Sequence, residues 1–224
     1  MPIAVFAAIF GFFLSLFLAV NLSFFFFALI LLYILLHIFY TLYLKKIAIL
    51  DVLSIASGFV IRVYAGAVAA DAHINVWLLL CVISFSLFLA IGKRRSERTL
   101  LEARAENHRE VLTRYPEKLL NIYTSMFANT TWLTYAFFTF LQPSGISEEK
   151  WIVMTADLPR TFMSKKWLML TIPVVIYGVM RYLQLIYEKG EGDSPEKVLL
   201  SDKPLLTSVC LWGIMVVGII YGIG

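Results

Sequence analysis

The chain has 224 residues, of which 60% are hydrophobic and 15% charged, and its mean hydropathy is +0.82. Such a composition excludes an ordinary water-soluble domain and indicates a protein whose main solvent is a lipid bilayer. The formal net charge of +4 does not indicate a nucleic-acid partner, because the basic residues stand in short segments between apolar runs and not along one exposed face.

The apolar runs predict about seven transmembrane helices. A helix needs roughly 20 largely apolar residues to cross a hydrocarbon core about 30 Å thick, and backbone groups in lipid must be bonded within the protein. The runs are too long for membrane strands, so we predict an all-α, polytopic transmembrane helix bundle that forms a single domain over residues 1–224. In chain order, the predicted spans are 3–20, 23–43, 52–70, 76–91, 119–141, 167–187 and 205–223.

The distribution of basic residues predicts the orientation. Thirteen Lys or Arg lie around Lys45 and in the loops 92–118 and 188–204, whereas four lie in the connections on the opposite side. The positive-inside rule makes the first group cytoplasmic. We therefore expect a multi-pass protein of the cell (inner) membrane with a cytoplasmic N-terminus and an external C-terminus.

Arg62 lies deep in the third predicted span, where an arginine costs several kcal/mol unless it has a partner or a wet cavity. It follows Asp51 by eleven residues, about 20° around a helix, so the two side chains should face the same way. Small residues such as Gly58 and Gly66 predict that this span is a buried, centrally packed helix. Arg62 then either lines an inward polar pocket or pairs with another span and only fixes the packing.

A polar stripe follows one face of the sixth predicted span. Tyr177, Arg181, Gln184 and Glu188 recur at spacings of four, three and four residues, which places them on the same side of a helix. We expect this face to open toward the cytoplasm. Arg181 lies about two turns from the interface, so simple snorkelling of its side chain is the alternative interpretation.

The fourth predicted span ends in the sequence Gly-Lys-Arg-Arg-Ser-Glu at 92–97, at the cytoplasmic mouth of the bundle. Basic groups here also satisfy the topology rule without any further role. Together with the other polar groups, however, Lys93, Arg94 and Glu97 suit a phosphorylated, metal-bound ligand. Arginine forks match phosphate oxygens, and carboxylates hold Mg²⁺.

Three stretches of the chain carry a family resemblance. They are residues 40–67, the hexapeptide 92–97, and residues 177–200 with Tyr-Gly-Val-Met-Arg-Tyr, Gly-Glu-Gly and Pro-Glu-Lys-Val-Leu-Leu. Their order and spacing resemble the decaprenyl-phosphate phosphoribosyltransferase branch of the UbiA prenyltransferase superfamily. Each stretch is weak alone, but together they cover most of the chain.

The resemblance implies a nine-helix bundle with a cytoplasm-facing cavity. It also implies Mg²⁺-dependent transfer of 5-phosphoribose from phosphoribosyl diphosphate to a polyprenyl phosphate. The candidate site residues are Asp51, Lys45 and Tyr40 as catalytic groups, Asp51 also as a metal ligand, Arg62, Lys93, Arg94, Arg181 and Tyr177 around the phosphates, and Glu97, Gln184 and Glu188 elsewhere in the pocket.

The sequence departs from the family in one respect. The family holds Mg²⁺-diphosphate with an Asn-Asp-x-x-Asp motif after its second helix, and no Asn-Asp pair occurs in the 224 residues. Seven predicted spans are also two fewer than nine. The resemblance therefore predicts a chain without the family's first two helices and with little or no activity by itself.

Two other functions are consistent with the residues. A UbiA-type prenyltransferase acting on an aromatic or other small acceptor would be expected to carry aspartates in place of Lys93 and Arg94. A non-catalytic membrane subunit or anion transporter would use Arg62 and Arg181 to line an anion route. The expected partners are the lipid bilayer, polyprenyl phosphate and phosphoribosyl diphosphate, and a homo-oligomer is left open.

Overall fold

The computed structural model of the chain describes residues 11, 15–17, 19–104, 116–141, 167–188 and 195–223. Every regular element within these ranges is helical, which confirms the all-α prediction. The α-helices are α1 (Phe24–Leu42), α2 (Leu50–Ala69), α3 (Val76–Arg104), α4 (Glu117–Leu141), α5 (Ile172–Glu188), α6 (Pro195–Ser201) and α7 (Lys203–Gly218). Short 3₁₀ turns, Leu44–Lys46 and Trp167–Thr171, precede α2 and α5, and a π-helical turn, Ile219–Ile223, continues α7.

Five helices of the described ranges are long and apolar enough to cross a membrane. They are Phe24–Leu42, Leu50–Ala69, Val76–Thr99, Trp167–Glu188 and Lys203–Tyr221. They correspond to the second, third, fourth, sixth and seventh predicted spans, so a multi-pass bundle is confirmed. The first predicted span lies largely outside the described residues.

The fifth predicted span forms α4, a helix of 25 residues that is not among those five because it carries many Thr, Ser and Asn side chains. Its buried threonines are bonded within the helix: the hydroxyls of Thr124 and Thr131 each donate at 2.7 Å to a carbonyl four residues earlier. Back-bonding of this kind satisfies a hydroxyl without an outside partner. Polar residues therefore do not prevent α4 from packing along the full length of α3.

The fourth predicted span is longer than the sequence suggested. Its apolar run ends at Ile91, but α3 continues through the basic hexapeptide to Arg104, so the first part of the predicted loop 92–118 is helical. Close packing explains the continuation. A Cβ at Gly92 would lie 2.8 Å from Cδ1 of Ile186 in α5, so the missing side chain allows the two helices to approach.

The core places α3, and not α2, at the centre of the described bundle. One cluster joins α2, α3 and α4 around Val52, Leu87 and Leu120, and a second joins α3, α4 and α5 around Phe88, Leu185 and Ile186. The expectation of a centrally packed α2 was therefore wrong in part. Gly58 packs against α1, since a Cβ there would lie 3.6 Å from ring atoms of His37 and Tyr33, whereas a Cβ at Gly66 would meet no atom within 4 Å.

Candidate functional site

Four of the candidate residues meet where α1, α2 and α3 come together. We call Tyr40, Asp51, Arg94 and Glu97 the Asp51–Arg94 cluster. The chain turns sharply between Leu42 and Leu50, so Tyr40 in the last turn of α1 lies beside Asp51 in the first turn of α2. Asp51 is also favoured there by the positive end of the helix dipole.

A buried, two-bond ion pair forms the centre of the cluster. Nε of Arg94 donates to Oδ2 of Asp51 at 2.5 Å, and Nη2 donates to Oδ1 at 3.0 Å. The side chains are 3% and 2% exposed. Each charge thus neutralises the other, which is the condition under which buried ions are tolerated.

Tyr40 and Glu97 complete the coordination of the Arg94 guanidinium. The Tyr40 hydroxyl donates to Oδ1 of Asp51 at 3.0 Å and accepts from Nη2 of Arg94 at 3.1 Å. Nη1 of Arg94 donates to Oε2 of Glu97 at 2.5 Å, and Glu97 is 14% exposed. The second N–H of Nη1 has no acceptor within the described ranges. The Glu97 side of the guanidinium is therefore the side that keeps an N–H without a described acceptor and that lies beside the more exposed carboxylate.

The turn that leads into this cluster is strained. Ile49 precedes α2 with φ 72° and ψ −51°, close to a γ-turn conformation that a β-branched residue rarely adopts. Strained backbone of this kind costs on the order of 1–3 kcal/mol and is often found next to functional groups. It lies between Lys45 and Asp51, two of the candidate catalytic residues.

Arg95 belongs to the site's surroundings and was not singled out from the sequence. Its side chain is 8% exposed and points away from Asp51, toward α4 and α5. Nε donates to Oδ1 of Asn121 at 2.7 Å, Nη1 donates to the carbonyl of Ile186 at 3.0 Å, and the guanidinium carbon lies 3.8 Å from the centroid of the Tyr187 ring. The neighbouring arginines of α3 thus bind opposite sides of the bundle.

Arg62 lies apart from the cluster. It donates through Nε and Nη2 to the hydroxyl of Tyr33 in α1. Its guanidinium carbon lies 5.0 Å from the centroid of the Tyr33 ring and 5.1 Å from that of the Phe59 ring. The expectation that Arg62 is buried was wrong, since its side chain is exposed on the described chain. Its contacts match the interpretation in which it pairs with another span. Arg62 and Asp51 do share the face of α2 toward α1, because each bonds a tyrosine of that helix.

The predicted stripe on the sixth span is connected by hydrogen bonds. Nη1 of Arg181 donates to Oε1 of Gln184 at 2.9 Å, and Nε2 of Gln184 donates to both oxygens of Glu188. Nε and Nη2 of Arg181 bind Asp202, at 3.1 and 2.7 Å. Asp202 also caps α7 by accepting from the Leu205 amide at 2.9 Å. Arg181 therefore joins α5 to the start of α7, and an anion would compete with Asp202 for it.

The remaining candidates are less engaged. Lys45 and Lys93 are half-buried next to the Asp51–Arg94 cluster in sequence, and neither forms an ion pair with a described residue. Tyr177 is 49% exposed on α5. Lys93 precedes Arg94 in the sequence and Lys45 lies in the turn before α2, whereas the position of Tyr177 shows no connection to the cluster.

The described residues do not by themselves fit a magnesium site. They contain no group of three or more His, Cys, Asp or Glu side chains close enough to bind one metal ion. Both oxygens of Asp51, the predicted metal ligand, already accept hydrogen bonds from Arg94. A magnesium requirement therefore stays a prediction from the resemblance.

Comparison with known proteins identifies relatives of this chain. The chain is 30% identical to the decaprenyl-phosphate phosphoribosyltransferase of Mycolicibacterium smegmatis, over 80% of this chain and 54% of the relative. It is 28% identical to the protein of that name from Corynebacterium glutamicum, over 79% of this chain and 48% of the relative. It is 25% identical to the protein of that name from Mycobacterium tuberculosis, over 75% of this chain and 50% of the relative. The chain thus spans about half the length of the curated relatives it matches.

No protein-family model matches the chain. The relatives, however, all carry the same name, and the aligned regions cover at least 75% of this chain. The similarity therefore extends well beyond any one of the three sequence stretches that carry the family resemblance. The chain is thus similar over most of its length to the decaprenyl-phosphate phosphoribosyltransferases, which confirms the predicted resemblance to that branch of the UbiA superfamily.

Proposed function

We propose that the chain takes part in transferring 5-phosphoribose from phosphoribosyl diphosphate to a polyprenyl phosphate, at the cytoplasmic face of the inner membrane. The observation that supports this most directly is the Arg94 guanidinium, which is buried, held by Asp51 and Tyr40, and paired through Nη1 with the carboxylate of Glu97, which is 14% exposed. Relatives named for this transfer support the choice of substrates.

The chemistry of the transfer defines what the site must do. A lipid phosphate oxygen attacks C1 of the ribose, the bond from C1 to the diphosphate oxygen breaks, and diphosphate leaves with the electron pair. The attacking oxygen is already an anion and needs no strong general base. The main requirement is to stabilise the charge that develops on the leaving diphosphate, and preorganised cations do this well.

Arg94 is suited to that role because it is preorganised. Asp51 and Tyr40 fix the plane of the guanidinium through Nε and Nη2, which leaves Nη1 to contact the ligand. An arginine held in this way loses little conformational entropy when it binds phosphate. Lys93, next to Arg94 in the sequence, and Lys45, in the turn before α2, would supply further positive charge for the donor phosphates.

Glu97 sets a condition on donor binding. Its carboxylate occupies Nη1 of Arg94, so a diphosphate oxygen must displace it or share that nitrogen. Arg94 is thus kept neutralised before the donor arrives, which lowers the cost of holding it in a buried position.

Donor binding tests the proposal. Purified chain in lipid nanodiscs is titrated with phosphoribosyl diphosphate, and Arg94→Gln is compared with Lys46→Gln, which removes one exposed positive charge nearby. We expect wild type and Lys46→Gln to bind and Arg94→Gln to lose about tenfold or more in affinity, the effect of losing a charge-assisted contact. Equal binding by Arg94→Gln, or no binding by wild type, would contradict the proposal.

Transfer is measured in a second experiment with radiolabelled donor and decaprenyl phosphate. The chain alone is expected to incorporate little or no label, since it has no Asn-Asp-x-x-Asp motif. A chimera that places a segment with the family's Asn-Asp-x-x-Asp motif before Met1 is expected to incorporate label. Flux of pyrophosphate across liposomes containing the chain, without transfer by the chimera, would favour the transporter interpretation.

A further inference from the structure

We infer that Arg95 is a positioning residue: it fixes the rotation of α3 about its axis and thereby aims Arg94 at the donor diphosphate. The inference rests on the proposed function, because it assigns Arg94 to the diphosphate. It concerns a residue that does not contact the ligand and acts only through its neighbour in sequence.

The contacts of Arg95 connect α3 to two other helices at once. Its Nε binds the Asn121 side chain of α4 at 2.7 Å, and its Nη1 binds the main-chain carbonyl of Ile186 in α5 at 3.0 Å. Its guanidinium also stacks on Tyr187, 3.8 Å from the ring centroid. A main-chain acceptor cannot change rotamer, so the bond to Ile186 ties the side chain to the α5 backbone.

Burial separates this role from phosphate binding. Arg95 is 8% exposed, and its partners within the described ranges are an amide, a carbonyl and an aromatic ring, all neutral. Burying a guanidinium among neutral groups is costly unless its hydrogen bonds are well made. The hydrogen bonds of Arg95 instead fix α3, α4 and α5 relative to one another.

Helix geometry links the two arginines. Successive residues of an α-helix are separated by about 100°, so Arg94 faces α1 and α2 while Arg95 faces α4 and α5. A rotation of α3 by about 20° would move a guanidinium about 7 Å from the axis by roughly 2 Å. Misplacement of this size is enough to cost a large factor in binding or catalysis. Arg95 opposes that rotation from the side opposite to Asp51.

Gly92 and Ser96 support the same view. A Cβ at Gly92 would approach Ile186 to 2.8 Å, and Ser96 is fully buried, so this turn of α3 fits closely against α5. Close packing limits the distance between the helices, whereas directed hydrogen bonds limit rotation. Arg95 supplies the directed bonds at this turn.

The first experiment needs no ligand. The coupling between Asp51 and Arg94 is measured from the melting temperatures of wild type, Asp51→Asn, Arg94→Gln and the double variant, in nanodiscs. The same cycle is repeated in an Arg95→Lys background and in an Asn121→Ala background, which is the milder change should Arg95→Lys fold poorly. We expect the coupling to fall to about half or less in both backgrounds.

A purely structural Arg95 gives a different result. The melting temperature would then fall in both backgrounds while the coupling between Asp51 and Arg94 stayed at its wild-type value, and the inference would be overturned. Because this cycle contains no donor, its outcome does not depend on whether the proposed function is correct.

The second experiment measures binding of inorganic pyrophosphate. Arg95→Lys keeps the positive charge but cannot hold Asn121, Ile186 and Tyr187 together, so we expect affinity to fall about tenfold. Lys46→Gln, the charge control, should stay within about threefold of wild type, as exposed charges contribute little. Wild-type affinity in folded Arg95→Lys would overturn the positioning role. Failure of wild type to bind at all would instead count against the proposed function.

Discussion

Arg94 of α3 binds both carboxylate oxygens of Asp51 of α2, although forty-three positions separate them in the sequence. The pair is buried, and each partner has a second contact: Arg94 with Glu97, and Asp51 with Tyr40. Because neither charge faces solvent, the two residues depend on each other for stability as well as for any role in binding.

Removing one member of the pair should destabilise the chain more than replacing both. Arg94→Gln leaves the Asp51 carboxylate buried without its cation, which costs about 3–5 kcal/mol, whereas Asp51→Asn leaves Arg94 with Glu97 as its carboxylate partner and should cost less. The double variant is expected to cost less than the sum of the two single changes. Unfolding in mixed micelles with increasing SDS measures these differences. Strict additivity would show that the two charges do not interact.

Glu97→Gln should strengthen pyrophosphate binding by a few-fold. The substitution removes the carboxylate that occupies Nη1 of Arg94 while keeping the size of the side chain. Equilibrium binding in nanodiscs, with Glu117→Gln as a charge-matched control on α4, provides the measurement. A loss of affinity in Glu97→Gln would mean that the carboxylate helps to hold the ligand and does not compete with it.

Replacing the strained residue before α2 should stabilise the chain. Ile49 has φ 72°, which glycine adopts at little cost, so Ile49→Gly is expected to gain about 1 kcal/mol. Ile47 is the matched control, because its φ of −111° is unstrained and Ile47→Gly should gain nothing. The SDS unfolding midpoints of the two variants decide the point. A lower midpoint for Ile49→Gly would show that its side-chain packing outweighs the strain.

Two helical glycines should respond differently to alanine. Gly66→Ala meets open space, so it should gain about 0.5–1 kcal/mol from helix propensity. Gly92→Ala gains the same term but must displace the end of the Ile186 side chain, 2.8 Å from the new Cβ, and is expected to lose the benefit. Equal shifts in the unfolding midpoint would show that the approach of α3 to α5 is not tight.

The sequence was enough to identify the helices and one half of the candidate site. Hydropathy located the apolar helices, and the turn between Tyr40 and Asp51 placed those two residues together whatever the rest of the fold. Arg94 and Glu97 are one turn apart on the same helix, so their proximity also follows from local geometry. The pairing of Arg94 with Asp51 required the tertiary structure, because the family resemblance placed both residues in one pocket without predicting a contact between them.

The partners of the other arginines could not be predicted from one sequence. Periodicity shows which residues share a face, but it does not show which helix packs against that face. Periodicity separates Arg94 from Arg95 by about 100°, but it does not show that one contacts α1 and α2 and the other α4 and α5. Nothing local to Asp202 indicated that it would bind Arg181. Tyr33, the partner of Arg62, is one aromatic among many on α1.

Arg94 binds Asp51 while Arg95 binds Asn121 and Ile186, and this difference limits where α3 can gain or lose a residue. A single residue removed from α3 before Arg94 would turn the rest of the helix by about 100° and shift it by about 1.5 Å. Arg95 would then be presented toward Asp51, and the contacts with Asn121 and Ile186 would be lost. Length changes among homologous chains should therefore be excluded between Val76 and Glu97 and tolerated in the segments that join the helices.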